Sequence, residues 1–233
     1  MKKAWKILRS LLIVLFVLGL CGAGIITFQG YQMCEAALQE TPLGVRVAEI
    51  RSQSSYTEFD DLPETYRNAV LATEDHRFYT HNGIDLIAIG RALWNDICTM
   101  SLDEGGSTIT QQLAKNLYFT QEKKLTRKVA EVFLAWKLEE QYSKDEIFEL
   151  YVNSIYFGNG CYSVGEASRS YFGKEPAAMT DDECTLLAGI PNAPSVYDLT
   201  ENPDLARQRQ RQVVNMMVKH EYLTRQEAAA LLS

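Results

Sequence analysis

The chain has 233 residues, 46% of them hydrophobic and 23% charged, with a formal net charge of -7. One domain plus a short added segment fits that length, and the apolar share suffices for a packed core. The acidic balance excludes whole-protein attraction to nucleic acid. The five cysteines, Cys21, Cys34, Cys98, Cys161 and Cys184, match no zinc-ligand spacing. Their odd count and scatter predict buried free thiols rather than a disulfide framework.

Residues 1–10 are basic, with Lys2, Lys3, Lys6 and Arg9 crowded together. Residues 11–28 form an uncharged, mostly apolar run long enough to cross a bilayer as a helix. The cations before it predict a cytoplasmic N-terminus and an external bulk, with Trp5 and Tyr31 at the two interfaces. A cleaved signal peptide is the alternative, but its apolar core would be shorter and no A-x-A site follows at once. A lipidated Cys21 is disfavoured by the bulky Leu20 before it. Residues 29–61 mix polar and β-branched types and read as a connector, with a short strand around Val45 to Ile50.

Residues 62–233 carry mainly helical signals. Pro63 can open a helix with Tyr66, Ala69, Val70 and Thr73 on one face. Three capping boxes, at Ser143–Glu146, Thr180–Glu183 and Thr224–Glu227, each precede an apolar-periodic segment. Strand-like alternation is scarce, so the class is mainly α.

Glu74 falls at the end of the helix opened by Pro63. A carboxylate there meets the negative end of the helix dipole and the like charge of Asp75, a setting that suits a general base; a solvated helix end is the plainer reading. His81 reads as a structural hydrogen-bonder, and Asp85 as the cap of a helix containing Leu86, Ile89 and Leu93. Further on, Gly105-Gly106 gives a permissive turn and Ser107 an N-cap. In the helix that follows, Ile109, Leu113 and Leu117 share one face; Thr108, Gln112 and Lys115 share another. A glycine turn entering a helix N-terminus suits an anion, and Lys115 supplies a point charge for a phosphate.

Val129, Val132, Phe133 and Trp136 form one apolar stripe; Leu134, Ala135 and Leu138 form a second, headed by Glu131. Arg127 is in i,i+4 reach of Glu131, either as a structural ion pair or as the partner of a cleft carboxylate opposite Glu74.

Taken in order, Glu74-Asp75-x-x-Phe78-x-x-His81-x-Gly83-Ile84-Asp85, then Gly105-Gly106-Ser107-Thr108-Ile109-Thr110-Gln111-Gln112-Leu113-x-Lys115-Asn116, then Arg127-Lys128-x-x-Glu131, then Tyr151-x-Asn153-x-x-Tyr156-Phe157-Gly158, then Leu187-Ala188-Gly189-x-Pro191-x-x-Pro194 resemble the five motifs of the peptidoglycan glycosyltransferases, glycosyltransferase family 51. The resemblance covers about Leu62 to Met217. It implies a lysozyme-like, two-lobed α domain, head and jaw, on one transmembrane helix. It implies lipid II and the growing glycan strand as substrates, the membrane as a partner, and proteins of cell-wall synthesis as further ones. Glu74 matches the general base and Glu131 the second essential glutamate. Asp75, Phe78, His81, Ser107, Thr108, Gln112, Lys115, Asn116, Arg127, Lys128 and Asn153 match substrate-binding positions. No cofactor or resident metal is implied, although stimulation by Mg²⁺ or Mn²⁺ is compatible with it. The chain stops near Ser233, so on this resemblance it looks like a monofunctional biosynthetic enzyme without a transpeptidase domain. A lysozyme-like glycan-cleaving enzyme is the competing expectation, since glycosidases also flank their bond with two carboxylates.

Overall fold

The computed structural model describes residues 2–99, 106–120 and 124–232; Gly105 and the side chains at 2–4, 93 and 96–99, Leu93 and Cys98 among them, lie outside that description. Most of the described residues are helical, and none of them forms a strand.

Helix α1 runs from Lys2 to Glu40. Its most apolar stretch has a mean hydropathy of 2.7 and no buried residue. It is the one helix among the described residues long and apolar enough to cross a membrane. At 1.5 Å per residue it is about 58 Å long, well beyond the ~30 Å of a hydrocarbon core. The helix does not stop at Phe28, where the connector was expected. Its last turns pack against a second long helix, α6 (Leu125–Gln141). Gly30 makes the crossing close: a Cβ there would lie 2.6 Å from Val129 Cγ1. Tyr31 meets Phe133 edge-on, with ring centroids 5.4 Å apart, and Glu35 pairs with Lys137 at 3.2 Å. Tyr31, expected at a membrane interface, thus packs against a side chain of α6.

The strand expected around Val45 to Ile50 is a helix instead, α2 (Leu43–Arg51). Leu43, Val47 and Ile50 are buried at i, i+4 and i+7, while Val45 is exposed. The β-branched residues suggested a strand, but helical spacing of the buried ones prevailed.

Helix α3 (Glu64–Glu74) opens after Pro63 and buries Tyr66, Ala69 and Val70, as predicted. It is followed by α4 (Leu86–Thr99), α5 (Ile109–Tyr118), α6, α7 (Lys144–Val152), α8 (Val164–Phe172), α9 (Asp181–Gly189), α10 (Pro203–Lys219) and α11 (Arg225–Leu231). The three expected capping boxes form, with both reciprocal bonds, at the starts of α7, α9 and α11. Each satisfies backbone donors that the first turn leaves open, which typically stabilises a helix by about 1 kcal/mol.

Helices α3, α9 and α10 pack on one another; α1, α6 and α5 form a second set, and α5 also meets α7. The mainly α expectation, with a long apolar N-terminal helix, is met. Both sets share a core that includes Tyr66, Phe78, Leu113, Leu134 and Phe148. Cys34, Cys161 and Cys184 are free and buried as expected, whereas Cys21 is free and exposed on α1.

Candidate active site

Glu74 is the last residue of α3, and the chain turns sharply after it at Asp75 (φ -161°, ψ 75°). Asp75 does not stand as an idle like charge beside it. Its carboxylate faces His81 Nε2 at 2.9 and 3.0 Å and accepts the Ile109 amide at 3.1 Å. Ile109 opens α5, so an anion sits where that helix dipole favours one. The cap of α5 is Thr108, not Ser107 as expected: Thr108 forms a fourth capping box with Gln111. The Thr108 hydroxyl accepts the Gln111 amide and donates to Gly83 O at 2.7 Å. Gly83 (φ +78°) lies against the α6 backbone: a Cβ there would lie 3.3 Å from Ala135 C, so a side chain would be strained and crowded. These bonds pin the Glu74 turn to the start of α5, and the packing at Gly83 sets both against the middle of α6.

Gln112 Nε2 donates to Glu74 Oε2 at 2.8 Å. Gln112 also lines a cavity of about 200 Å³ with Ser107, Gln111, Lys115, Arg127, Lys128 and Glu131. Glu131 is the anion at its back. Its side chain is 1% exposed, with Arg127 on Oε1 and Lys128 on Oε2 at 3.0 Å. Lys128 also donates to the Ser107 hydroxyl at 2.5 Å. Burial holds the Lys115 ammonium below its ordinary value; Glu131 opposes this, and the Lys128 and Arg127 charges add to it. Three cations around one carboxylate leave a cradle with surplus positive charge, suited to a multiply charged anion.

On its other side Glu74 lines a second cavity, about 300 Å³, with Thr73, Asp75, His76, Arg91, Asn95, Arg209 and Lys219. This half of the site was not read from the sequence. Arg209 and Lys219 lie in a helix rich in charge and glutamine, where nothing separates a cleft residue from a solvated one. Beside this cavity His76 and His220 stack, with ring centroids 3.9 Å apart.

The expected site residues therefore divide. Glu74, Gln112, Ser107, Lys115, Arg127, Lys128 and Glu131 gather around the two cavities, and Asp75 reaches the second. Phe78 is wholly buried, with the Lys144 ammonium 4.5 Å from its ring centroid. His81, Thr108 and Asn153 point inward. Asn153 is fully buried, exchanges bonds with Thr57 N and O and donates to Glu149 O, so both its amide donors are engaged within the protein. Asn116 is exposed and outside the cradle lining. Asp85 caps α4 through the Ile87 and Ala88 amides, as predicted, and pairs with Arg77 at 3.0 Å. Among the described residues no group of three His, Cys, Asp or Glu is arranged to hold a metal. Each Glu131 oxygen faces one cation, Arg127 or Lys128.

The family described as Transglycosylase matches residues 43–218. Penicillin-binding protein 1A of Neisseria lactamica is 45% identical over 172 residues, covering 74% of this chain and 22% of its own. Penicillin-binding protein 1A/1B of Bacillus subtilis (strain 168) is 39% identical over 227 residues, covering 91% and 25%. The chain thus spans about a quarter of the length of these curated relatives. A crystal structure of Penicillin-Binding Protein 1A from Haemophilus influenzae aligns over 54% of this chain and 16% of that one, at 26% identity and a TM-score of 0.38.

Proposed function

Because the chain belongs to the transglycosylase family, we propose that it is a peptidoglycan glycosyltransferase that polymerises lipid II into glycan strands at the outer face of the cytoplasmic membrane. Glu74 takes the proton from the 4-hydroxyl of the acceptor N-acetylglucosamine. That oxygen attacks C1 of the N-acetylmuramic acid at the end of the growing chain. Attack from the face opposite the leaving group inverts C1, forms a β-1,4 link and releases undecaprenyl pyrophosphate. Pyrophosphate leaves well when its charge is met, so cations replace a general acid. Lys115, Arg127 and Lys128 supply them, preorganised around the departing charge.

The observation that carries this reading is the placement of Glu74 against Gln112, which itself lines the cationic cradle. A base and a phosphate site are adjacent, as a transfer between a hydroxyl and a sugar pyrophosphate requires. The same cradle disfavours the glycan-cleaving alternative, whose substrate carries no pyrophosphate. Helix α1 serves as a membrane anchor, its basic start cytoplasmic. Sharing a bilayer with a lipid-linked substrate raises the effective concentration of both.

The test is incubation of the full chain in detergent with labelled lipid II, with and without Mg²⁺, in parallel with digestion of finished peptidoglycan. Polymer from lipid II with no cleavage of finished wall is expected. Cleavage without polymerisation would overturn the reading.

A further inference from the structure

The base proposed above rests against a side chain that could face either way. Gln112 gives its Nε2 to Glu74 Oε2 at 2.8 Å. The two ends of a carboxamide are almost the same size, but only the amino end suits a carboxylate, which accepts and does not donate. At the other end the Tyr151 hydroxyl donates to Gln112 Oε1 at 3.2 Å. Tyr151 is wholly buried in α7, which packs against α5, and lines neither cavity. Its contact with the chemistry runs through Gln112.

We propose that Tyr151 is a positioning residue for the reaction: its hydroxyl fixes the amide of Gln112 so that the amino end holds the Glu74 carboxylate. This rests on the reading of Glu74 as the base. Without the hydroxyl, Gln112 Oε1 loses a buried donor. The amide can then turn its oxygen towards Glu74, and two acceptors facing each other push the carboxylate out of its pose. Burial, with the nearby Glu74 charge, holds the Tyr151 phenol well above its ordinary value. The hydroxyl therefore remains a donor and does not compete for the proton that Glu74 takes.

The decisive experiment is steady-state polymerisation of lipid II by the full chain in detergent, comparing wild type, Tyr151→Phe, Gln112→Ala and the double variant, with Glu74→Gln alongside. Tyr151→Phe keeps the ring and its packing. It should lower kcat by about tenfold, leave KM within about twofold, and leave the melting temperature within a few degrees, since a small misplacement of a reacting group costs this much or more. In the Gln112→Ala background the same change should lower kcat no further. Wild-type kcat in Tyr151→Phe overturns the proposal. So does a full additional loss in the double variant, or a loss accompanied by a melting point lowered by more than about ten degrees, which is the mark of packing alone. Glu74→Gln separates the two levels. Activity surviving there removes the base and this inference with it; an inactive Glu74→Gln beside an unimpaired Tyr151→Phe removes only the inference.

Discussion

Two glutamates face the same region of the molecule and are held in opposite ways. Glu74 stands at the end of its helix, partly exposed, with an uncharged amide as its hydrogen-bond partner. Glu131 stands in mid-helix, 1% exposed, clasped by Arg127 and Lys128. A carboxylate paired only with an amide can take up a proton and give it back. One clasped by two cations orders them around it, because each pair fixes where its cation sits. On the proposed function, the comparison separates the group that would act from the group that would arrange, though the residue type is the same.

Replacing the acting group should do most to break this contrast. Glu74→Gln keeps size and hydrogen-bonding capacity but cannot accept the proton. Polymer formation should fall by at least about 100-fold, with the melting temperature unchanged. Equal polymer yield in a gel assay would put the base elsewhere.

Glu131→Gln should act on both axes. It leaves Arg127 and Lys128 partly buried against a neutral group, so activity should fall about tenfold or more and thermal stability should drop measurably. Lys128 is 42% exposed, and solvent moderates its share of that cost. A variant that lost activity with no change in melting point would give Glu131 a chemical role rather than an arranging one.

Lys115→Ala sharpens the comparison from the substrate's side. It removes one cation from the cradle and leaves in place Gln112 on Glu74 and Arg127 and Lys128 on Glu131. Activity should fall several-fold to tenfold at low ionic strength, and the gap from wild type should narrow as salt is raised, because a phosphate contact by a point charge is screened by salt. Salt-independent kinetics would show that Lys115 does not meet the anion.

The smallest effect is one of pH on stability. Burial lowers His220 from its ordinary 6.5 to about 4, with His76, Lys219 and Arg91 adding to it. Burial also lowers His76, Arg91 and Arg77 acting with it and Asp75 and Asp85 against it. A base whose pKa falls on folding binds fewer protons in the folded than in the unfolded chain between these values. Its contribution is complete above about pH 6.5 and is lost as pH falls towards 4. The melting temperature should decline over that interval, and His220→Gln should flatten the decline. An identical slope in the variant would assign the loss to other groups.

Much of this was legible in the sequence because the signals were local. The helix after Pro63, the three capping boxes and the Arg127–Glu131 pair all depend on residues within one or two turns. The cap at Thr108 rather than Ser107 was missed although the Thr108–Gln111 spacing fits a capping box, because the glycine pair drew the helix start one residue early. Helix α2 was missed because Val45 and Val47 favour strands in isolation, and only burial of Leu43, Val47 and Ile50 on one side decides the period. The cavity on the Arg91, Arg209 and Lys219 side was out of reach for a different reason. It joins helices distant in sequence, and charged residues on α10 carry no mark of which face meets a cleft. Asn153 and Phe78 show the reverse: motif positions that support the neighbourhood from inside.

Gly30 carries one more consequence. The close crossing it permits fastens the apolar helix to α6 only two residues from Glu131, with no slack segment between. With that helix seated in a bilayer, the fastening would act as a ruler rather than a leash, fixing the height of the cradle above the lipid surface. Residues inserted between the apolar run and Gly30 would lift the site by about 1.5 Å each and rotate it by about 100°, so its reach towards a carrier held in the membrane would change in steps.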